Sequence, residues 1–175
     1  MKFPNIQLDD GAPMEYADIA KQLQASAVTW ADIPWIREAW GGPIVVKGIH
    51  TLADAEAAIR HGADAIVVSN HGGRQLDRVI PTLKVLEEIA PKLRNENVEI
   101  LMDGGIRSGG DVVAALALGA KAVLIGRAYL YGLGAGGEAG VARAFAIVRE
   151  QIEHTLRQLG CPSVSMVDRG YLART

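Results

Sequence analysis

Four short apolar runs constrain this chain more than any other feature: Ile44-Val45-Val46, Ala65-Ile66-Val67-Val68, Val98-Glu99-Ile100-Leu101-Met102 and Ala122-Val123-Leu124-Ile125. They are rich in β-branched residues and nearly continuous rather than alternating, which suits strands of a parallel sheet covered on both faces. Helical patterns lie between them. Thr51 is placed to cap the first, with Asp54 completing a capping pair, and Gly62 is placed to end it in a left-handed turn. Residues 81–90 form the second, closed by Pro91; residues 109–118 form the third, closed by Gly119; residues 138–159 form the last and longest, closed by Gly160. Strand–helix alternation at roughly 20- to 35-residue spacing predicts consecutive βαβ units. The fold class is therefore α/β, with about four βα units building a parallel sheet.

The residues ahead of the first run read differently. They predict a polar lead-in, a helix over residues 14–24, and a helix over residues 30–39 with Thr29 as its cap. Trp30, Trp35 and Trp40 recur every five residues and are read as helix packing.

Composition narrows the function classes. At 175 residues the chain is about one domain, and 49% hydrophobic with 22% charged residues is an ordinary globular balance. Eighteen basic against twenty acidic residues leave a net charge of −2, which offers no footprint for nucleic acid. Cys161 is the single cysteine, so an intrachain disulfide or a multi-cysteine metal site is excluded, and no metal is expected. The first sixteen residues carry no apolar h-region of a signal peptide. The longest apolar run, residues 112–118, is far too short to span a membrane. A cytoplasmic location is expected.

The polar residues gather where the strands end. The first run leads into Lys47-Gly48, and the second into Ser69-Asn70-His71-Gly72-Gly73-Arg74. The third leads into Asp103-Gly104-Gly105-Ile106-Arg107, and the fourth into Gly126-Arg127. In βα barrels the active site lies at these C-terminal strand ends, often with phosphate held by the last two loops. Here those two loops carry both glycines and arginines. Glycines let backbone N–H groups approach an anion, and a following helix N-terminus adds its dipole. The bland reading is that glycines make turns and arginines are solvated; the pairing of both loops weighs against it. His71 taken alone is a turn residue. Beside Arg74 it becomes a group that can take a proton near neutral pH, next to a guanidinium that can clamp a carboxylate. Lys47 adds a positive charge able to stabilise an anion forming in a cofactor. His50, His61 and His154 carry no such company.

Gly132-Leu133-Gly134-Ala135-Gly136-Gly137 matches the pattern G-x-G-x-x-G literally, but residues 127–131 separate it from the preceding strand. The dinucleotide-binding context therefore fails, and the segment is expected to be a tight loop.

At these residues the chain resembles the FMN-dependent 2-hydroxy acid oxidoreductases, the family of glycolate and lactate oxidases, flavocytochrome b2 and mandelate dehydrogenase. The matching stretches are IVVKGI, VVSNHGGRQLD, LMDGGIRSGGDVVAALALGA and AVLIGRAYLYGLGAGGEAGV, within a resemblance running from about residue 29 to 172. It implies a (βα)8 barrel of TIM type, of which this chain corresponds to the C-terminal half, strands five to eight. Residues 1–28 would be the remnant of a barrel loop with a short helix, and residues 29–175 the half barrel. The resemblance also implies FMN-dependent oxidation of a 2-hydroxy acid such as lactate, glycolate or mandelate. His71 would be the base and would bind substrate together with Arg74. Lys47 would lie at the flavin N1–O2 edge, Ser69 would contact the flavin, and Asp103 would hold the ribityl hydroxyls. Gly104, Gly105, Ile106 and Arg107, with Gly126 and Arg127, would form the phosphate site. The electron acceptor (oxygen, a quinone or a cytochrome) stays open.

Full barrels of this type run to about 250 residues. The resemblance implies that the missing half would carry the aspartate that pairs with the catalytic histidine. An open half barrel also exposes two sheet edges and an inner row, expected to include Val46, Val67, Met102 and Ile125. A homo-oligomer joined through those edges, or a loosely packed monomer, is the expectation. The alternatives to an enzyme are a non-catalytic FMN- or phosphate-binding half barrel and an inactive gene fragment.

Overall fold

The computed structural model describes residues 2–7, 11–15, 17–19, 21 and 28–173. Near the amino terminus β1 (Lys2–Gln7) pairs antiparallel with β2 (Pro13–Glu15), Phe3 opposite Met14. The helix expected over residues 14–24 is thus corrected at its start. Residues 17–19 and 21 are helical, while 16, 20 and 22–24 lie outside the described residues. In β2 the exposed–buried–exposed alternation around Met14 has the period of a strand, and its pairing partner lies eleven residues earlier.

The main sheet follows the predicted runs. Strands β3 (Val45–Ile49), β4 (Ala65–Val68), β5 (Glu99–Met102) and β6 (Ala122–Val123) are parallel and lie in sequence order. Helices α1 (Ile33–Trp40), α2 (Leu52–Arg60), α3 (Thr82–Ile89), α4 (Gly109–Ala117) and α5 (Arg127–Leu159) accompany them. The cap predicted at Thr51 is in place, whereas the helix expected from residue 30 under Thr29 begins as a 3-10 turn, and α1 proper has Asp32 at its N-cap. The Thr51 hydroxyl accepts from the Asp54 amide at 3.1 Å. Ser108 and Asp111 form a complete capping box at the start of α4.

Strand register decides which residues meet the helices. Val46, Ile66 and Ile100 are aligned neighbours, as are Met102 and Val123, so all of them share one face with Val68 and Ile125. That face packs with Ala55 and Ala58 of α2, Leu86 and Ile89 of α3, and Val112 and Ala115 of α4 into the main core. The expected inner row is therefore corrected. Val46, Met102 and Ile125 belong to the helix-covered face, and only Val67 belongs to the opposite one. A one-residue parity error moves a side chain through the sheet, and continuous apolar runs carry no polar residue to fix parity. The opposite face carries Val45, Lys47, Val67 and Leu101 by register. Val67, in the middle, is only 3% exposed, whereas Val45 at the β3 margin is 53% exposed and Leu124, beyond β6, 38%.

The G-x-G-x-x-G segment is also corrected. Rather than a separate loop, it is the end of a helical limb that begins at Arg127 and the break that follows it. Gly136 (φ −160°, ψ 28°) and Gly137 (φ 55°, ψ −138°) leave helical geometry, and the long limb resumes at Glu138. The two limbs cross at glycines: a Cβ on Gly140 would lie 1.9 Å from the Gly132 carbonyl oxygen.

Candidate active site

Lys47, Ser69 and Asp103 come from three adjacent strands. Lys47 is aligned with Val67 and Leu101, and two residues further along each strand, on the same face, stand Ser69 and Asp103. The period of two thus brings a cation, a hydroxyl and a carboxylate together from positions far apart in sequence. Lys47 Nζ lies 3.0 Å from Asp103 Oδ2 and donates to Ser69 Oγ at 3.1 Å. Ser69 Oγ donates to Asp103 Oδ1 at 2.5 Å and accepts from the His71 amide at 3.1 Å. One donor and two acceptors are all a hydroxyl offers, so buried Ser69 is fully used. The ion pair keeps access to solvent, the Lys47 side chain being 41% and the Asp103 side chain 16% exposed.

His71 follows in a tight turn with a left-handed backbone (φ 53°), continued by Gly72 and Gly73 at φ 68° and 75°. Its imidazole lies over β3. A Cβ on Gly48 would come within 2.9 Å of His71 Cε1, so that close approach depends on the glycine. Arg127, the first residue of α5, reaches toward the same turn, its Nη2 being 3.7 Å from where a Gly72 Cβ would stand. Arg74 is exposed at the end of the turn. Lys47, Ser69, His71, Asp103 and Arg127 are therefore brought to one end of the sheet.

The loop after β5 supplies the rest. Gly104 and Gly105 are left-handed at φ 83° and 84°, and nothing lies within 4 Å of a Cβ built on Gly105 or on Gly126. Arg107 is exposed, whereas Ile106 is 7% exposed with its side chain in the core, leaving only its backbone for a ligand. Asp111 was not among the sequence candidates, yet its Oδ2 accepts the amides of Arg107 and Ser108 at 3.0 and 2.8 Å. The N-terminus of α4 is thus capped by the chain's own carboxylate. An anion at this loop would meet the glycine amides and arginine side chains rather than those two N–H groups. The Ser108-x-x-Asp111 spacing is the signal that identifies this cap.

Two more residues escaped sequence reasoning. The Asn70 side-chain oxygen Oδ1 accepts from the Gly72 amide at 3.0 Å, and the hydroxyl of buried Thr82 donates to the Gly104 carbonyl at 2.9 Å. Both line a cavity of about 140 Å³ bounded also by Pro81, Gly105 and Asp111.

Open space at Gly105 and Gly126, guanidiniums at Arg107 and Arg127 with no partner among the described residues, and a hydroxyl–carboxylate–ammonium cluster fit an anionic, polyol-bearing cofactor. Comparison with known proteins gives the class. The model of the FMN-dependent dehydrogenase family matches residues 4–174. An L-lactate dehydrogenase of Xanthomonas campestris pv. campestris (strain B100) is 46% identical over 173 residues, covering 97% of this chain and 45% of the relative. The crystal structure of a monotopic membrane protein, (S)-mandelate dehydrogenase, superposes with a TM-score of 0.84 at 40% identity, covering 91% of this chain and 42% of that one. A mandelate oxidase variant with the monooxide FMN adduct gives a TM-score of 0.77 at 43% identity, over 82% of this chain and 46% of that one.

The chain belongs to the FMN-dependent dehydrogenase family, a family of flavoenzymes, and its α/β fold is a partial barrel. It spans about 45% of the length of the curated lactate dehydrogenase it matches. Among the described residues no helix is long and apolar enough to cross a membrane.

Proposed function

We propose that this chain is the flavin-phosphate half of an FMN-dependent 2-hydroxy acid dehydrogenase or oxidase. The reaction turns a 2-hydroxy acid such as lactate, glycolate or mandelate into the 2-oxo acid, at a site completed by further polypeptide. When bound, FMN would supply the acceptor for the C2 hydrogen together with its bonding electron pair. The final electron acceptor would be oxygen, a quinone or a cytochrome. The family relationship supports the chemistry, and one observation carries its assignment to residues: Lys47, Ser69 and Asp103 interlock on one sheet face, directly bonded to the turn that presents His71.

In this reading the His71 imidazole takes the hydroxyl proton of the substrate, and the Arg74 guanidinium holds its carboxylate. Lys47 would stand by the N1–O2 edge of the flavin, where a fixed cation favours negative charge on the ring. Ser69 would contact the flavin, and Asp103 would accept from ribityl hydroxyls. The amides of Gly104, Gly105, Ile106 and Gly126 and the side chains of Arg107 and Arg127 hold the phosphate. The substrate is a small anion, and the assembly is a homo-oligomer in the cytoplasm.

A second reading has its own observation. The His71 imidazole has no carboxylate partner among the described residues, and such a partner normally orients a catalytic imidazole and stabilises its charged form. In that reading the chain binds FMN or another phosphate ligand and turns nothing over.

Titrating the purified chain with FMN, then adding lactate, glycolate and mandelate without air, separates the two. Bleaching of bound flavin supports the enzyme; binding without bleaching supports the binding module; absence of binding supports an inactive fragment. His71→Ala is expected to abolish flavin reduction and leave FMN affinity within about threefold, whereas Arg127→Ala weakens FMN binding about tenfold or more. Flavin reduction that survives His71→Ala overturns the assignment of the base.

A further inference from the structure

We propose that Asn70 is the positioning residue of this site: it fixes the His71 imidazole over β3 and ties it to the loop after β5. The inference deepens the function proposed above and rests on it for its catalytic consequence, though not for its geometry.

The turn carrying His71 has little rigidity of its own. His71, Gly72 and Gly73 are three successive left-handed residues, and the two glycines have wide conformational freedom. What holds the turn is its amides. The His71 amide donates to Ser69 Oγ at 3.1 Å, the Gly72 amide to Asn70 Oδ1 at 3.0 Å, and the Gly73 amide to the Asn70 carbonyl at 2.9 Å. The backbone bond survives any substitution at 70, and Ser69 is already committed to Lys47 and Asp103. The Asn70 side chain is therefore the one adjustable hold on Gly72, the residue immediately after the base. An amide donor pairs only with an acceptor, which fixes the carboxamide with its oxygen toward Gly72.

The carboxamide is also locked from behind. A Cβ on Gly104 would lie 2.5 Å from Asn70 Oδ1 and 3.3 Å from its Cγ, so the carboxamide rests directly against that glycine. Gly104 is anchored in turn by the buried Thr82 hydroxyl on its carbonyl at 2.9 Å. Asn70 thus stands between two mobile-prone glycine turns, one presenting the base and the other expected at the phosphate. Ordering either turn orders the other through a single half-buried side chain.

The test uses the full chain, isotopically labelled, as wild type, Asn70→Ala and Asn70→Asp. In Asn70→Ala the Gly72 amide is expected to exchange about tenfold faster or more. The His71 imidazole resonances move toward free histidine, while FMN affinity stays within about threefold. Asn70→Asp keeps an acceptor oxygen at the same place and is expected to restore wild-type exchange at Gly72. In flavin-loaded protein, Asn70→Ala lowers kcat for flavin reduction about tenfold at a KM within about threefold, with partial recovery in Asn70→Asp.

Wild-type Gly72 exchange and His71 resonances in Asn70→Ala overturn the proposal, as does a loss of FMN affinity as large as the loss of kcat. If Asn70→Ala fails to fold, Asn70→Asp decides: retained Gly72 protection supports the proposal, and lost protection overturns it. If the wild type binds FMN without reducing it, the enzyme reading fails, and the exchange and imidazole measurements still decide the role of Asn70.

Discussion

Asp64 lies away from the candidate site and yet governs how the chain enters its main sheet. Its Oδ2 accepts from the Ile44 amide at 2.7 Å and pairs with Arg37 Nη2 at 2.7 Å, joining α1 to the segment that leads into β3. The backbone bond from Ile44, followed by the Arg37 guanidinium, holds its carboxyl below the usual carboxylate range. A depressed pKa in the folded state means stability that is present above the unfolded value near pH 3.9 and is lost as pH falls through the folded value. Asp64→Asn should therefore melt below wild type at neutral pH, and the gap should narrow as pH drops below about 4. Thermal melts of both proteins from pH 3 to 7 check this; a gap that is constant with pH shows that the charge contributes nothing. Legibility in the sequence divides along the same line. Lys47, Ser69, His71 and Asp103 could be singled out because each follows an apolar run, so a strand end locates it. Asn70, Thr82 and Asp64 could not, because each acts on the backbone of a segment 2 to 22 residues away, and nothing in local composition announces such a partner.

At the scale of elements, helices with side-chain signals at their starts were the readable ones. Thr51 with its acidic partner marked the start of α2, the Ser108–Asp111 pair that starts α4 went unread, and the left-handed Gly119 and Gly160 follow the ends of α4 and α5. The strand at Pro13–Glu15 was not readable, because a three-residue strand exists only through its pairing with β1. The first limb of α5 was missed for another reason. Its glycines signal a loop by propensity, and close packing overrides propensity here. Gly132 and Gly140 let two helical backbones approach to where a side chain on either would strike the carbonyl of the other. Gly140→Ala must push the limbs apart and should destabilise by about 1–3 kcal/mol, as overpacking does. Gly134, inside the first limb with nothing within 4 Å of its Cβ position, should respond in the opposite sense. Gly134→Ala is expected to stabilise by roughly 0.5–1 kcal/mol through helix propensity alone. Urea unfolding of the pair checks both signs, and equal effects would show that the limbs do not cross closely.

For the molecule as a whole the open question is what closes the sheet. Four parallel strands stand in barrel order, β3 and β6 are its margins, and eight is the number with which parallel βα barrels close. The four apolar runs located the strands of a parallel sheet and the family resemblance implied half of a barrel, but the expected inner row placed the wrong side chains on the open face. The true exposed members, Val45 and Leu124, sit at opposite margins, while Val67 between them is already covered. Exposure is thus concentrated where a further strand would add. A two-fold axis along the barrel would set β6 of one copy beside β3 of another in the parallel sense at both seams, which is a closed, isologous arrangement. Each seam would then bury Leu124 of one copy close to Val45 of the other, and all candidate site residues would gather at one mouth. Light scattering of the purified chain is expected to give about 37 kDa, twice the 18.6 kDa of one copy. Leu124→Asp, which places a charge in both seams, is expected to return it to a single copy. A compact single copy with one cooperative melt in the wild type would instead overturn pairing through these margins.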